Sequence, residues 1–184
     1  MREAFKEEWI KTTRKSLLNI QEDILPGVIG GIPFIEDTQL IEVVKELQPS
    51  KILDFGCGLC RNTIKLQEIA ETHGYDSFEM VSKAIRNVKI NKEITLHSYW
   101  EHVKTIKYDV VVCSLVLEHI DQHYLDEILQ SIAKMTKQLV VVGKTTLDNG
   151  ESLSHTVEKY FDLKNAISNI KVYHSQFTHL NTPV

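Results

Sequence analysis

Two glycines and two aspartates are spaced in a way that could bind a ribose-containing ligand. Asp54 ends an apolar run, Gly56 and Gly58 follow it in a Gly-x-Gly turn, and Asp76 comes 22 residues after Asp54. Glycines in such a turn let the backbone approach a ligand where a Cβ atom would collide. An acidic side chain at the end of the next strand can accept both hydrogen bonds from a ribose diol. The spacing therefore predicts a site for a nucleotide or a similar ribose-containing ligand.

A pair of cysteines in the same segment indicates a different chemistry. Cys57 and Cys60 form a C-x-x-C sequence at the start of a predicted helix, which is typical of a thiol-redox site in a thioredoxin-like protein. Such proteins also have a proline that faces the thiols, yet no proline stands between Pro49 and Pro183. A thiol-redox protein therefore stays an alternative and is not the favoured interpretation.

The elements that must position these residues alternate between short apolar runs and amphipathic helices. We predict strands at 51–54, 73–76, 93–97, 108–113 and 138–143, and strand-like alternation in the tail indicates one more edge strand. Runs such as VVV and LVVV are apolar on both faces, which is typical of a parallel sheet covered by helices on both sides. The pattern predicts a compact three-layer α/β/α fold with a mostly parallel sheet.

The first 50 residues have a different pattern and are expected to form an N-terminal helical cap. Phe5, Trp9 and Leu17 lie on one stripe of a predicted helix over 1–25, and a glycine-rich loop and a helix at 38–47 follow. A chain of 184 residues fits one domain. We therefore expect N-terminal helices with a possible lid at 1–50 and one globular unit at 51–184.

Three motifs resemble those of class I S-adenosylmethionine-dependent methyltransferases. They are LDFGCGLCRNT, GYDSFEMVSKA and YDVVVCSLVLEHI, and with the following strand they cover about 51–143 in the order that the family has. The resemblance implies a Rossmann-like sheet, S-adenosylmethionine as methyl donor and S-adenosylhomocysteine as product. No Asn/Asp-Pro-Pro-aromatic motif follows the fourth strand. Its absence favours a small-molecule acceptor over adenine or protein amides. A non-catalytic adenosyl-binding module is a second alternative.

The same resemblance implies roles for individual residues. Asp76 would hold the ribose hydroxyls, and Asp54 would help to bind the amino group of the donor through the loop. The chain departs from the family where Cys60 replaces a third glycine, and where Tyr99 and Trp100 replace an acidic and a small residue beside adenine. The full cofactor-binding set implied by the resemblance is Asp54, Gly56, Cys57, Gly58, Asp76, Ser77, Tyr99, Trp100 and Ser114.

His119 and Glu118 follow the fourth strand, where the resemblance places the methyl-transfer site. For an acceptor that must lose a proton we expect His119 as the general base and Glu118 as the reserve. A structural role for His119, in capping or packing, is an equally good interpretation. His119 and His123 are four residues apart and could hold a metal on a helix, but the H-E-x-x-H order is missing. We expect no metal.

The composition and net charge of the chain limit which partners it can bind and where in the cell we expect it. The chain has 21 Lys and Arg against 25 Asp and Glu, a net charge of −4, so the basic surface of a general nucleic-acid binder is absent. The longest apolar run, at 110–117, is too short to cross a bilayer, and three cysteines do not make a secreted disulfide scaffold. We expect a cytoplasmic enzyme whose partner is a small-molecule acceptor.

Overall fold

Helices and strands alternate along the chain, as the periodicity of its apolar residues predicts. The computed structural model describes residues 36–87, 94–136, 138–143, 146–147, 150–161 and 170–174. The strands are β1 (Lys51–Phe55), β2 (Glu71–Tyr75), β3 (Thr95–His97), β4 (Val110–Ser114), β5 (Gln138–Gly143) and β6 (Ile170–His174). The helices are α1 (Glu36–Glu46), α2 (Arg61–Gln67), α3 (Phe78–Asn87), α4 (Trp100–Val103), a 3₁₀ helix at Leu117–His119, α5 (Gln122–Met135) and α6 (Leu153–Glu158).

The strands form one sheet whose order is β3-β2-β1-β4-β5-β6, and each neighbouring pair is parallel. Chain order reverses direction between β1 and β4, and ligands of such sheets bind at the carboxyl ends of the strands next to this switch point. Phe55 of β1 pairs with Tyr75 on one side and with Cys113 on the other. The carboxyl ends of β1, β2 and β4 therefore lie side by side.

Apolar side chains are buried on both faces of the sheet. Along β4, Val111 and Cys113 belong to the core on one face, whereas Val110 and Val112 belong to the core on the other. Helix α5 contributes apolar residues to the first core, and α1 contributes to the second. The expected three-layer α/β/α arrangement is confirmed, because parallel strands with two apolar faces need helices on both sides.

The predicted elements match the observed ones closely, with shifts at their ends. The weak strand expected at 73–76 is β2, which begins two residues earlier, and the edge strand expected in the tail is β6. The helix expected at 38–47 is α1, and its buried Leu40 and Val44 pack in the core. Residues 1–35, with the predicted first helix and glycine-rich loop, lie outside the described residues. None of the helices described has the length and apolar character needed to cross a bilayer.

Candidate functional site

The glycine loop and the acidic residue after β2 are joined directly at the carboxyl ends of β1 and β2. The backbone N–H of Gly58 donates to Oδ2 of Asp76 at 2.8 Å. On the other side of the turn, the N–H groups of Gly56 and Cys57 both donate to the carbonyl oxygen of Tyr75, at 2.8 and 3.0 Å. The end of β2 therefore fixes the loop that follows β1.

The two glycines of the loop are required for different reasons. Both have left-handed backbone conformations, with φ of 77° at Gly56 and 54° at Gly58. A Cβ atom at Gly56 would lie 2.4 Å from Cγ2 of Val116, so the absent side chain makes room for the turn after β4. A Cβ atom at Gly58 would meet only Cε of Met80, at 3.8 Å. Gly58 therefore borders open space, where a ligand could approach the backbone.

Asp76 is half-buried and already accepts two backbone hydrogen bonds. Its Oδ1 accepts from the N–H of Ser77 at 2.6 Å, and its Oδ2 accepts from Gly58. Burial raises the pKa of this carboxyl, while the Gly58 and Ser77 bonds act in the opposite direction. Each carboxylate oxygen has a second lone pair, so Asp76 can still accept from two hydroxyls. The Ser77 hydroxyl accepts from the N–H of Met80 at 3.4 Å, at the start of α3.

Asp54 is a buried carboxyl beside the loop, with 2% of its surface exposed. Its Oδ2 accepts a 2.6 Å hydrogen bond from the hydroxyl of Thr63 on α2. Burial raises the pKa of Asp54 to about 6, and the charge of Asp76 adds to this effect. The Thr63 hydrogen bond and the charge of Arg61 lower the pKa in turn. Asp54 therefore changes its ionisation closer to neutral pH than a solvent-exposed aspartate does.

The two cysteines of the loop are packed as apolar residues. Cys60 has a φ of 67°, the left-handed conformation that explains why a glycine suits this position, and it packs with Cys57 against Ala84. Cys57 also fills the space left by Gly74, where a Cβ atom would lie 3.0 Å from its Sγ. The hydrogen bond with Cys60 and burial raise the pKa of the Cys57 thiol. A buried thiol that stays protonated argues against the thiol-redox alternative.

The aromatic residues near the site divide into a core group and an exposed group. Trp100 is 7% exposed, and its ring lies 5.2 Å from those of Phe55 and Tyr75, so it belongs to the core. Tyr99 is 67% exposed and remains open to a ligand. Phe78, which the sequence analysis did not single out, is 72% exposed and stands two residues after Asp76. An aromatic residue just after Asp76, the acidic residue at the end of β2, is the signal that could have identified it.

The end of β4 leads directly into the candidate acceptor residues. Half-buried Ser114 ends the strand, and Leu115 turns the chain with a φ of 54°. Glu118 is 5% exposed, and a Cβ atom at Gly143 would lie 2.8 Å from its Oε2. His119 is only partly buried and is therefore the more accessible of the two.

The possible metal pair is separated by the structure. His119 ends the 3₁₀ helix, whereas His123 lies in the first turn of α5, after the helix-capping residue Asp121. The two histidines therefore do not share one helix face. Within the described part of the chain, no group of three or more His, Cys, Asp or Glu residues is arranged to hold a metal ion.

A family model described as a methyltransferase domain matches residues 36–180. The chain belongs to the methyltransferase domain family. This match confirms the predicted methyltransferase family and enzyme class, and S-adenosylmethionine as the predicted methyl donor is consistent with it. The match includes every residue of the predicted donor and acceptor sites. A comparison with curated proteins gave no match.

Solved structures of methyltransferases share the fold. The N-terminal domain of EvdMO1, crystallised in the presence of SAH and D-fucose, has a TM-score of 0.52 and 17% identity, covering 81% of this chain and 72% of that chain. Human N-acetylserotonin methyltransferase in complex with SAM has a TM-score of 0.52 and 15% identity, and the match covers 62% of this chain and 35% of that chain. A putative O-methyltransferase from Nostoc punctiforme has a TM-score of 0.50 and 17% identity, and the match covers 70% of this chain and 46% of that chain. These likenesses support the Rossmann-like architecture.

Proposed function

We propose that this methyltransferase binds S-adenosylmethionine between the glycine loop and Asp76 and transfers its methyl group to a small molecule. The observation that carries the proposal is the hydrogen bond from Gly58 to Asp76. It places the open side of the loop next to a carboxylate that can still accept from a ribose diol. The donor site and the methyl-transfer site then share the carboxyl edge of the sheet, at the switch point between β1 and β4.

When bound, S-adenosylmethionine supplies a methyl group on a sulfonium, which an acceptor attacks in line. Such a donor is intrinsically reactive, so the protein contributes alignment and a site with little water. Asp76 orients the ribose through its two oxygens, and the loop at Gly58 carries the methionine portion on its backbone. Asp54 provides a negative charge close to the cationic end of the donor. Exposed Tyr99 and Phe78 would flank the adenine, whereas Trp100 packs in the core against Phe55 and Tyr75.

At the acceptor end, His119 takes the proton from an acceptor that loses one, and Glu118 is the reserve base. Both follow Ser114 at the end of β4, which we assign to the donor side of the same edge. The net charge of −4 and the Cys113-Ser114-Leu115-Val116 sequence, which replaces an Asn/Asp-Pro-Pro-aromatic motif, support a small-molecule acceptor. All three cysteines are free thiols, which fits a reducing compartment such as the cytoplasm. The division into a helical cap at 1–50 and a catalytic unit at 51–184 stays a prediction.

Calorimetric titration with S-adenosylmethionine and S-adenosylhomocysteine tests the donor site. We expect dissociation constants in the micromolar range, about −8 kcal/mol. Asp76→Asn removes the charge that strengthens two hydrogen bonds to the ribose, so we expect about 10- to 100-fold weaker binding. Asp126→Asn is the matched control, since Asp126 is an exposed residue of α5 that accepts from Tyr160. A folded protein that binds neither compound, or an Asp76→Asn variant that binds like the wild type, would refute the assignment.

Transfer of a labelled methyl group to a panel of small molecules, followed by mass spectrometry, tests the acceptor site. With an acceptor that must lose a proton, His119→Ala is expected to lower turnover while the donor affinity stays near the wild-type value. A parallel loss of donor affinity would instead assign His119 to the donor site. Methylation of an oligonucleotide in place of every small molecule would overturn the proposed acceptor class.

A further inference from the structure

We propose that Thr63 is a positioning residue of the donor site, whose hydroxyl holds the Asp54 carboxylate in its ionised form. The inference rests on the proposed donor site. Thr63 lies in the first turn of α2, three residues after Cys60, and its hydroxyl donates to Oδ2 of Asp54 at 2.6 Å. Both side chains are buried, so water cannot easily replace this hydrogen bond.

Some of the groups around Asp54 raise the pKa of its carboxyl, and others lower it. Burial is the largest influence and favours the neutral acid, and the nearby charge of Asp76 acts in the same sense. Among the influences that lower the pKa, the side-chain hydrogen bond from Thr63 is the largest, and the charge of Arg61 follows. The titratable and charged groups that interact with this carboxyl come from the loop, the end of β2, α2 and β4, and they are Cys57, Asp76, Arg61 and Cys113.

The charge state of Asp54 matters for donor binding because S-adenosylmethionine is cationic. Its ammonium and sulfonium groups are favoured by an ionised carboxylate in a low-dielectric site, whereas a protonated Asp54 offers no such attraction. With a pKa of about 6, Asp54 is mostly ionised at neutral pH, and its ionised fraction falls as the pH drops through 6. Loss of the Thr63 hydroxyl removes the strongest hydrogen bond to the charged form. The midpoint of donor binding is then expected to rise by about one to two pH units.

Thr63→Val tests this role, because valine has the shape of threonine and lacks the hydroxyl. Dissociation constants for S-adenosylmethionine are measured by calorimetry from pH 5 to 8, relative to the wild type at each pH. We expect binding to be weakened roughly tenfold at pH 6.5 and less than about threefold at pH 8. Thr63→Ser restores the hydroxyl and is expected to follow the wild-type profile. Thr156→Val is the matched control, since buried Thr156 donates to the Ser152 carbonyl oxygen on α6.

Two further measurements separate this role from a structural one. Asp54→Asn holds position 54 uncharged at every pH and should remove the part of the pH dependence that Asp54 contributes, even if Thr63→Val does not fold. The carboxyl ¹³C shift of Asp54 in the ligand-free protein should titrate at a higher pH in Thr63→Val than in the wild type. An equal loss of affinity at every pH in Thr63→Val, or an Asp54 carboxyl that titrates at the same pH in Thr63→Val and the wild type, would overturn the inference. A wild-type protein that binds no donor would instead refute the proposed function.

Discussion

Replacing Gly56 or Gly58 by alanine tests whether Gly56 mainly supports the fold and Gly58 mainly supports ligand binding. Gly56→Ala places a Cβ atom 2.4 Å from Cγ2 and 2.7 Å from Cβ of Val116, in addition to the cost of a left-handed φ. Overpacking typically costs 1–3 kcal/mol and the backbone conformation about 1 kcal/mol more, so we expect a loss of about 2–4 kcal/mol. Gly58→Ala has only the backbone cost, about 1 kcal/mol, because its nearest neighbour lies at 3.8 Å.

Urea denaturation and calorimetric titration with S-adenosylhomocysteine measure the two effects separately. Gly56→Ala should mainly lower the free energy of unfolding at an unchanged denaturant slope. Gly58→Ala should keep most of the stability and weaken the ligand at least tenfold, since its methyl group occupies the open side of the loop. Adding Val116→Ala to Gly56→Ala should recover part of the stability, because it removes the Cγ2 contact and leaves the Cβ contact. Equal stability losses, or unchanged affinity in Gly58→Ala, would refute this reasoning.

Three further predictions concern titratable groups. Burial raises the pKa of the Asp54 carboxyl from 3.8 to about 6, so its ionised form destabilises the ligand-free protein by about 3 kcal/mol at pH 8. Asp54→Asn should recover stability of this order in urea denaturation at pH 8, and the gain should disappear as the pH falls below 4. Burial lowers the pKa of His97 from 6.5 to about 4, so the unfolded chain binds a proton here more readily than the folded protein does. The fold should therefore lose stability as the pH falls from 6.5 to 4. His97→Gln should reduce this loss, as measured by urea denaturation at pH 5. Alkylation of Cys57 and Cys60 by iodoacetamide should be slow in the native protein and slower with S-adenosylhomocysteine, as measured by mass spectrometry.

The backbone of the donor site could be predicted from the sequence because its signals are local. A strand that ends at an acidic residue, two glycines in a turn and a second acidic residue after the next strand determine which groups meet at the sheet edge. The structure adds the bond between Gly58 and Asp76, which follows from parallel neighbouring strands with aligned ends. The weak strand predicted at 73–76 overlaps β2, which the structure has at Glu71–Tyr75.

The roles of the side chains were harder to predict because they depend on packing between distant elements. Trp100 and Tyr99 are adjacent in the sequence, yet one is buried against Phe55 and the other is exposed. No local pattern distinguishes them, since α4 has only four residues and shows no clear periodicity. Likewise, the space that Gly56 leaves for Val116 joins residues 60 positions apart. Contacts of this kind are determined by the sheet order, which a single sequence does not specify.

Val116 connects the two ends of the proposed site, because it packs against the proposed donor loop and begins the turn that carries the proposed acceptor residues. Its side chain occupies the space above Gly56, and its carbonyl oxygen accepts from the N–H of His119 at 3.0 Å. A shift of the donor loop toward the sheet edge would therefore push on the turn that presents His119 and Glu118. Cores are close-packed and transmit such displacements instead of absorbing them. Substitutions at Val116 should for this reason change donor affinity and turnover together, whereas substitutions at His119 should change turnover alone.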